Sequence, residues 1–135
     1  METIHFDTDM TLMYIRAESF PDGVLKAHQK LHAIVPFSTD RKYFGFSRPE
    51  NGGIVYRAAA GELMKGEAHR YECDKMLLKK GGYASVNIKD YMKDIESVSR
   101  TFEQLLTHSE LDPNGYCLEW YFNEKDVKCM VRLSD

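Results

Sequence analysis

One carboxylate stands out by its surroundings. Glu119 sits in the run Tyr116-Cys117-Leu118-Glu119-Trp120-Tyr121-Phe122, which is otherwise apolar and rich in rings. An acid so placed can meet a cationic or hydrogen-bond-donating ligand in an aromatic-walled cleft. It can also act as a general base on water, once burial has perturbed its pKa. The plain alternative is a solvated sheet face, where a cross-strand ion pair with Arg132 or Lys128 contributes about 0.2–1 kcal/mol.

Other residue sets point to less chemistry. His28 and His32 have the four-residue spacing of two metal ligands on one helix face. No Glu follows His28 in a metalloprotease pattern and no third ligand is near, so a partly exposed helix histidine and no metal are expected. Ser47, Ser85 and Ser99 lack a glycine-flanked elbow. Asn51-Gly52-Gly53 reads as a hairpin turn and Lys80-Gly81-Gly82 as a strand entry, so no phosphate cradle and no cofactor are expected. Cys73, Cys117 and Cys129 are odd in number and unlike any zinc motif in spacing, which predicts reduced thiols.

The elements that must position Glu119 repeat. Residues 11–17 read as a strand, followed by Pro21-Asp22-Gly23 with Asp22 as a helix cap. A helix then runs toward Val35 on the spacing of Val24, Leu25, Leu31, Ile34 and Val35, and Pro36 stops it. Residues 42–47 and 54–59 make a hairpin by their turn chemistry. The second half gives the same order: a strand over 83–88, Asp90 as a cap, and a helix with the stripe Met92, Ile95, Val98, Phe102, Leu105 and Leu106. A turn at Asp112-Pro113-Asn114-Gly115 leads to the Glu119 strand, which joins a strand over 127–133 through residues 123–126. Corresponding elements lie about 73 positions apart. The expectation is an α+β fold of two β-α-β-β modules, 11–63 and 83–133, with 64–82 as a connector.

Alternation places Leu118, Trp120 and Phe122 on one face and Cys117, Glu119 and Tyr121 on the other. Pairing Phe122 with Val127 adds Val127, Cys129, Val131 and Leu133 to the first, apolar face, which then covers the helix. Glu119 is thereby expected on the side away from the helix, with Met130 opposite.

These residues resemble the GyrI-like small-molecule-binding domains, which also serve as effector domains of bacterial multidrug-sensing transcription regulators. The likeness lies in the helix followed by Tyr43-Phe44-Gly45-Phe46-Ser47, the Gly81-Gly82-Tyr83-Ala84 entry, the amphipathic helix and Cys117-Leu118-Glu119-Trp120-Tyr121. It runs over nearly the whole chain from Thr11 onward. The resemblance implies an antiparallel sheet with pseudo-twofold symmetry, two main helices on one face and a ligand groove on the other. It further implies a lipophilic, often cationic ligand, with Glu119 at the groove centre and Tyr121, Tyr43, Tyr56 and Trp120 lining it. The family commonly has a proline soon after the acid, whereas Tyr121-Phe122-Asn123 follows here. Some relatives are hydrolases of strained electrophilic molecules, a role in which Glu119 is the general base. An inhibitor-like protein that binds a macromolecule through the groove is the third expectation.

Composition narrows the classes. The 135 residues are 43% apolar and 29% charged with a net charge of −3, which suits one domain that folds unaided. No basic strip interleaves the aromatics, so no direct nucleic acid binding is expected. With no long apolar run and no signal peptide, the reading is a cytoplasmic protein without a membrane partner. The ten residues before Thr11 are too few for a helix-turn-helix, so any role in transcription is expected to pass through a partner. The macromolecular partners considered are another protein or a second copy of the chain, as a homodimer.

Overall fold

The computed structural model describes residues 1–135. Its strands are β1 (Glu2–Phe6), β2 (Met10–Arg16), β3 (Tyr43–Glu50), β4 (Gly53–Gly61), β5 (Asp74–Leu78), β6 (Gly81–Ile88), β7 (Cys117–Trp120) and β8 (Val127–Arg132). Its helices are α1 (Val24–Ile34), α2 (Glu67–Arg70) and α3 (Glu96–Leu105), with a single 3-10 turn at Tyr91–Lys93. The strands form one antiparallel sheet in the order β1-β6-β8-β7-β3-β4-β2-β5.

The connections force that sheet to curl. β5 and β6 are six places apart in the order, roughly 29 Å in a flat sheet, yet only Lys79 and Lys80 separate them. Such a link reaches at most about 11 Å. The short step from β1 to β2 imposes the same closure, and the two edges approach one another.

Curling gives the sheet an inner and an outer face. The inner face is a core of Leu12, Phe44, Phe46, Leu78, Tyr83, Leu118 and Met130, each contributing on the order of 1.5–3 kcal/mol by burial. The outer face carries the helices. α1 packs Ala27 and Leu31, with Val35 just beyond it, on Met13, Ala58 and Ala60, where small residues let the helix lie close. α3 covers Ala84, Cys129 and Val131 with Val98, Phe102 and Leu105.

Several expectations change. Trp120 pairs with Lys128 and Glu119 with Cys129, one residue away from the register that joins Phe122 to Val127. The residues of β7 therefore change face while those of β8 keep theirs, with Val127, Cys129 and Val131 against the helix as expected, and Glu119 shares the outer face with both helices instead of opposing them. Lys128 and Arg132 stay on the face away from the helix, as expected, and the curl that encloses this face leaves them satisfied at the ends of the sheet. Lys128 Nζ lies 3.1 Å from Glu2, and Arg132 bonds Asp112, Asp135 and the Lys80 carbonyl. The 64–82 connector holds α2 and strand β5, and residues 2–6 form strand β1. Asp22 does not cap α1, which starts from Gly23 without a side-chain bond. Asp90 adopts a left-handed conformation before the 3-10 turn, and α3 begins only at Glu96. Met92, Ile95 and Leu106 are accordingly exposed.

Candidate functional site

Glu119 lies where the two central strands meet. It is directly opposite Gly45 of β3, and the next residue in that row is Ala58 of β4. Two small residues beside an acid leave room that larger side chains enter. A Cβ on Gly45 would stand 2.0 Å from Tyr56 Oη and 2.3 Å from Glu119 Oε1, so any other residue there would collide with both.

Into this gap two tyrosines converge. Tyr56 of β4 donates its hydroxyl to Glu119 Oε1 at 2.8 Å, and Tyr121, just past β7, donates to the same oxygen at 2.5 Å. Tyr121 is fixed by its backbone N–H, which bonds the Tyr43 carbonyl at 3.0 Å. Glu119 itself is half-buried. Its other oxygen, Oε2, has no hydrogen-bond partner in the chain and is not among the atoms sealed from solvent. Donors therefore hold one oxygen while the other remains accessible.

Helix α1 and the 3-10 turn before α3 approach this carboxylate through rings. His28 of α1 places Nε2 2.7 Å from the Tyr56 hydroxyl and packs edge-on against the rings of Tyr56 and Tyr121. Because Tyr56 spends its proton on Glu119, the geometry fits His28 donating from Nε2–H, giving the relay His28, Tyr56, Glu119. Tyr91, from the 3-10 turn before α3, lies against Tyr121 on the other side. Phe20 stacks over Tyr56 and is 46% exposed, which puts an apolar ring at the rim.

Burial raises the pKa of Glu119 above the ordinary carboxylate range, and the hydrogen bonds from Tyr121 and Tyr56 oppose that rise. Burial and the nearby Glu119 charge push Tyr56 and Tyr121 well up, so both remain donors. Burial, with His32 nearby, lowers His28 to about 4, which keeps the imidazole neutral at physiological pH. Cys117 and Cys129 share the face, and burial with the Glu119 charge raises both thiols, so neither is a reactive nucleophile.

Of the residues expected at the site, the structure brings together Glu119, Tyr56 and Tyr121. Tyr43 lies elsewhere on the same face, stacked on Phe37, with its hydroxyl accepting from the Ser38 N–H. Trp120 points to the inner face, against Phe6 and Phe44. His28, Tyr91 and Phe20 join the site unanticipated. The signal for His28 was a polar residue between Ala27 and Leu31 on the packed face of α1. No group of three metal-ligating side chains occurs, and two surface hollows, one by Glu62 and His69 and one by Thr11 and Leu77, contain none of the site residues.

No family model and no curated protein sequence matches the chain. Solved structures do. An integron cassette protein from Vibrio cholerae superposes with a TM-score of 0.72 at 10% identity, over 98% of this chain and 94% of that one. A hydrolase from Listeria innocua gives 0.60 at 11% identity, over 98% and 90%, and a second Listeria innocua hydrolase structure gives 0.58 at 11%, over 98% and 91%. At this identity the likeness is one of fold.

Proposed function

We propose that the chain binds a lipophilic, cationic small molecule on the helix-bearing face of the sheet, between α1 and the Tyr91 turn, with Glu119 as its polar anchor. The observation that carries this reading is the division of labour within one carboxylate, Oε1 held by two tyrosine hydroxyls and Oε2 unpartnered and accessible. A cation recovers part of the desolvation cost of the acid, and the faces of Phe20, Tyr91 and Tyr121 suit an apolar or quaternary ammonium body. The binding surface in this reading lies on the helix side of the sheet.

The sheet order supports a scaffold of two related halves. Read outward from the β7–β3 seam, one side runs β7, β8, β6 and the other β3, β4, β2, matching the two strand-helix-strand-strand modules. Glu119 and Gly45 face each other across that seam. In this reading the protein acts as a GyrI-like effector-binding or sequestering domain. Calorimetric titration with a lipophilic quaternary ammonium and its neutral isostere tests it. Preferential binding of the cation, weakened at least tenfold in Glu119→Gln, is expected, and equal binding of both compounds overturns the assignment.

A second reading rests on the raised pKa of Glu119. A carboxylate oriented by two donors, with an accessible oxygen, is suited to remove a proton from water during attack on a strained electrophile. The hydrolase names of the Listeria innocua structures agree with it. Turnover that vanishes in Glu119→Gln while binding persists separates catalysis from sequestration.

A further inference from the structure

The inner face of the sheet carries a second arrangement, separate from Glu119. Arg57 of β4 pairs directly with Arg16 of β2 on one side and with Phe46 of β3 on the other. Its guanidinium lies 5.0 Å from the centroid of Tyr14 and 5.5 Å from that of Phe46, so two rings fix its orientation. Arg48 follows two residues after Phe46 and so projects to the same face.

None of the five N–H donors of Arg57 has a partner in the chain, and its Nε is sealed from solvent. Arg48 also has a sealed, unbonded Nε, with only Glu50 near it at 3.9 Å. Arg41 and Arg132 provide the contrast. Each leaves Nε without an acceptor, but their terminal nitrogens bond Glu67 in one case and Asp112 and Asp135 in the other. Like charges set directly across a ladder destabilise it, and desolvated donors without acceptors add to that cost. Asp74, across from Tyr14 on β5, forms no ion pair with these arginines.

We infer that this end of the curled sheet is an oxyanion site, in which Arg57, flanked by Arg16 and Arg48, takes a carboxylate or phosphate group. The planar fork of arginine matches either anion in a bidentate manner. Ring stacking on both sides removes much of the ordering cost of presenting it. The site stands whether or not Glu119 binds a cation.

The test uses the whole protein with sodium phosphate, sodium acetate and sodium chloride at equal ionic strength. Phosphate or acetate is expected to raise the melting midpoint by about 2–4 °C near saturation and to shift the Arg57 Nε–H resonance, while chloride does neither. A larger response to phosphate identifies a tetrahedral anion, and a larger response to acetate a carboxylate. Arg57→Gln should abolish both effects. If that variant fails to fold, Arg16→Gln, at an exposed position, should weaken the response three- to tenfold. An effect of chloride equal to the others, an unmoved Arg57 Nε–H, or unchanged affinity in Arg16→Gln overturns the site and leaves a ring-stacked, hydrated arginine.

Discussion

Gly45 and Glu119 face one another across the β3–β7 ladder, and the absent side chain of the first makes room for the carboxylate of the second. Gly45→Ala should therefore act on the site before it acts on the fold. The added methyl displaces Tyr56 Oη or Glu119 Oε1, and overpacking of this kind costs about 1–3 kcal/mol. Urea denaturation should show that loss, with ligand affinity falling alongside it. An Ala variant with unchanged midpoint and affinity would show that the gap is not needed.

Glu119→Gln separates stability from function. The amide oxygen can still accept from Tyr56 and Tyr121, but no charge is buried, so stability at neutral pH should be unchanged or higher. The sign follows from the raised folded pKa of Glu119: its protonated form is favoured in the fold, so the wild type recovers relative stability as pH falls through that pKa. The gap between the two proteins, measured by denaturation from neutral to acidic pH, should narrow on acidification. A loss above about 2 kcal/mol in the variant at neutral pH would instead make the carboxylate a structural ion.

The two tyrosines can be told apart from mere packing. Each hydroxyl stabilises the charged form of Glu119, so Tyr56→Phe or Tyr121→Phe should raise the carboxyl pKa further. Each should also cost roughly 1.5–3 kcal/mol of interaction with the anion. Carbon-detected NMR of the Glu119 carboxyl reads the shift, and a double-mutant cycle reads the coupling. Titration at the wild-type pH in both variants would mean that neither hydroxyl donates.

Much of this site was legible in the residues, and its orientation was not. Asn51 and Gly52 have φ of 51° and 82°, as their turn chemistry implies for the β3–β4 hairpin. The lone acid stood out by its type and setting, and its neighbours Tyr56 and Tyr121 came from the family resemblance. The face of Glu119 did not follow from the residues, because β7 leaves the ladder at Trp120 rather than Phe122. The loop that follows is tied by Asn123 Oδ1 to the N–H groups of Lys125 and Asp126. Alternation within β8 did place Lys128 and Arg132 away from the helix, but it did not show that the curl encloses that face. Their partners Glu2 and Asp112 lie far away in sequence, so no local pattern could announce them. Strands β1 and β5 escaped for a related reason, as short edges of mixed polarity whose pairing is entirely long-range.

His28 gives the fold a predictable response to acid. Its folded pKa of about 4 lies below the ordinary 6.5 because burial disfavours the imidazolium, with His32 on the same helix adding repulsion. The groups that face it are the Tyr56 hydroxyl and the Tyr121 ring, and no carboxylate forms an ion pair with it. Between pH 6.5 and about 4 the unfolded chain takes up a proton at this position that the folded chain refuses. Stability should fall across that window by on the order of 1–3 kcal/mol. His28→Gln removes the titration while keeping a donor within reach of Tyr56, so its stability should fall less steeply over the same range. The site should respond as well: in the wild type, protonation of His28 places a second charge beside Tyr56 and weakens binding of a cation, whereas His28→Gln should retain affinity at low pH. Parallel pH profiles of stability and binding in the two proteins would refute the coupling of α1 to Glu119 through Tyr56.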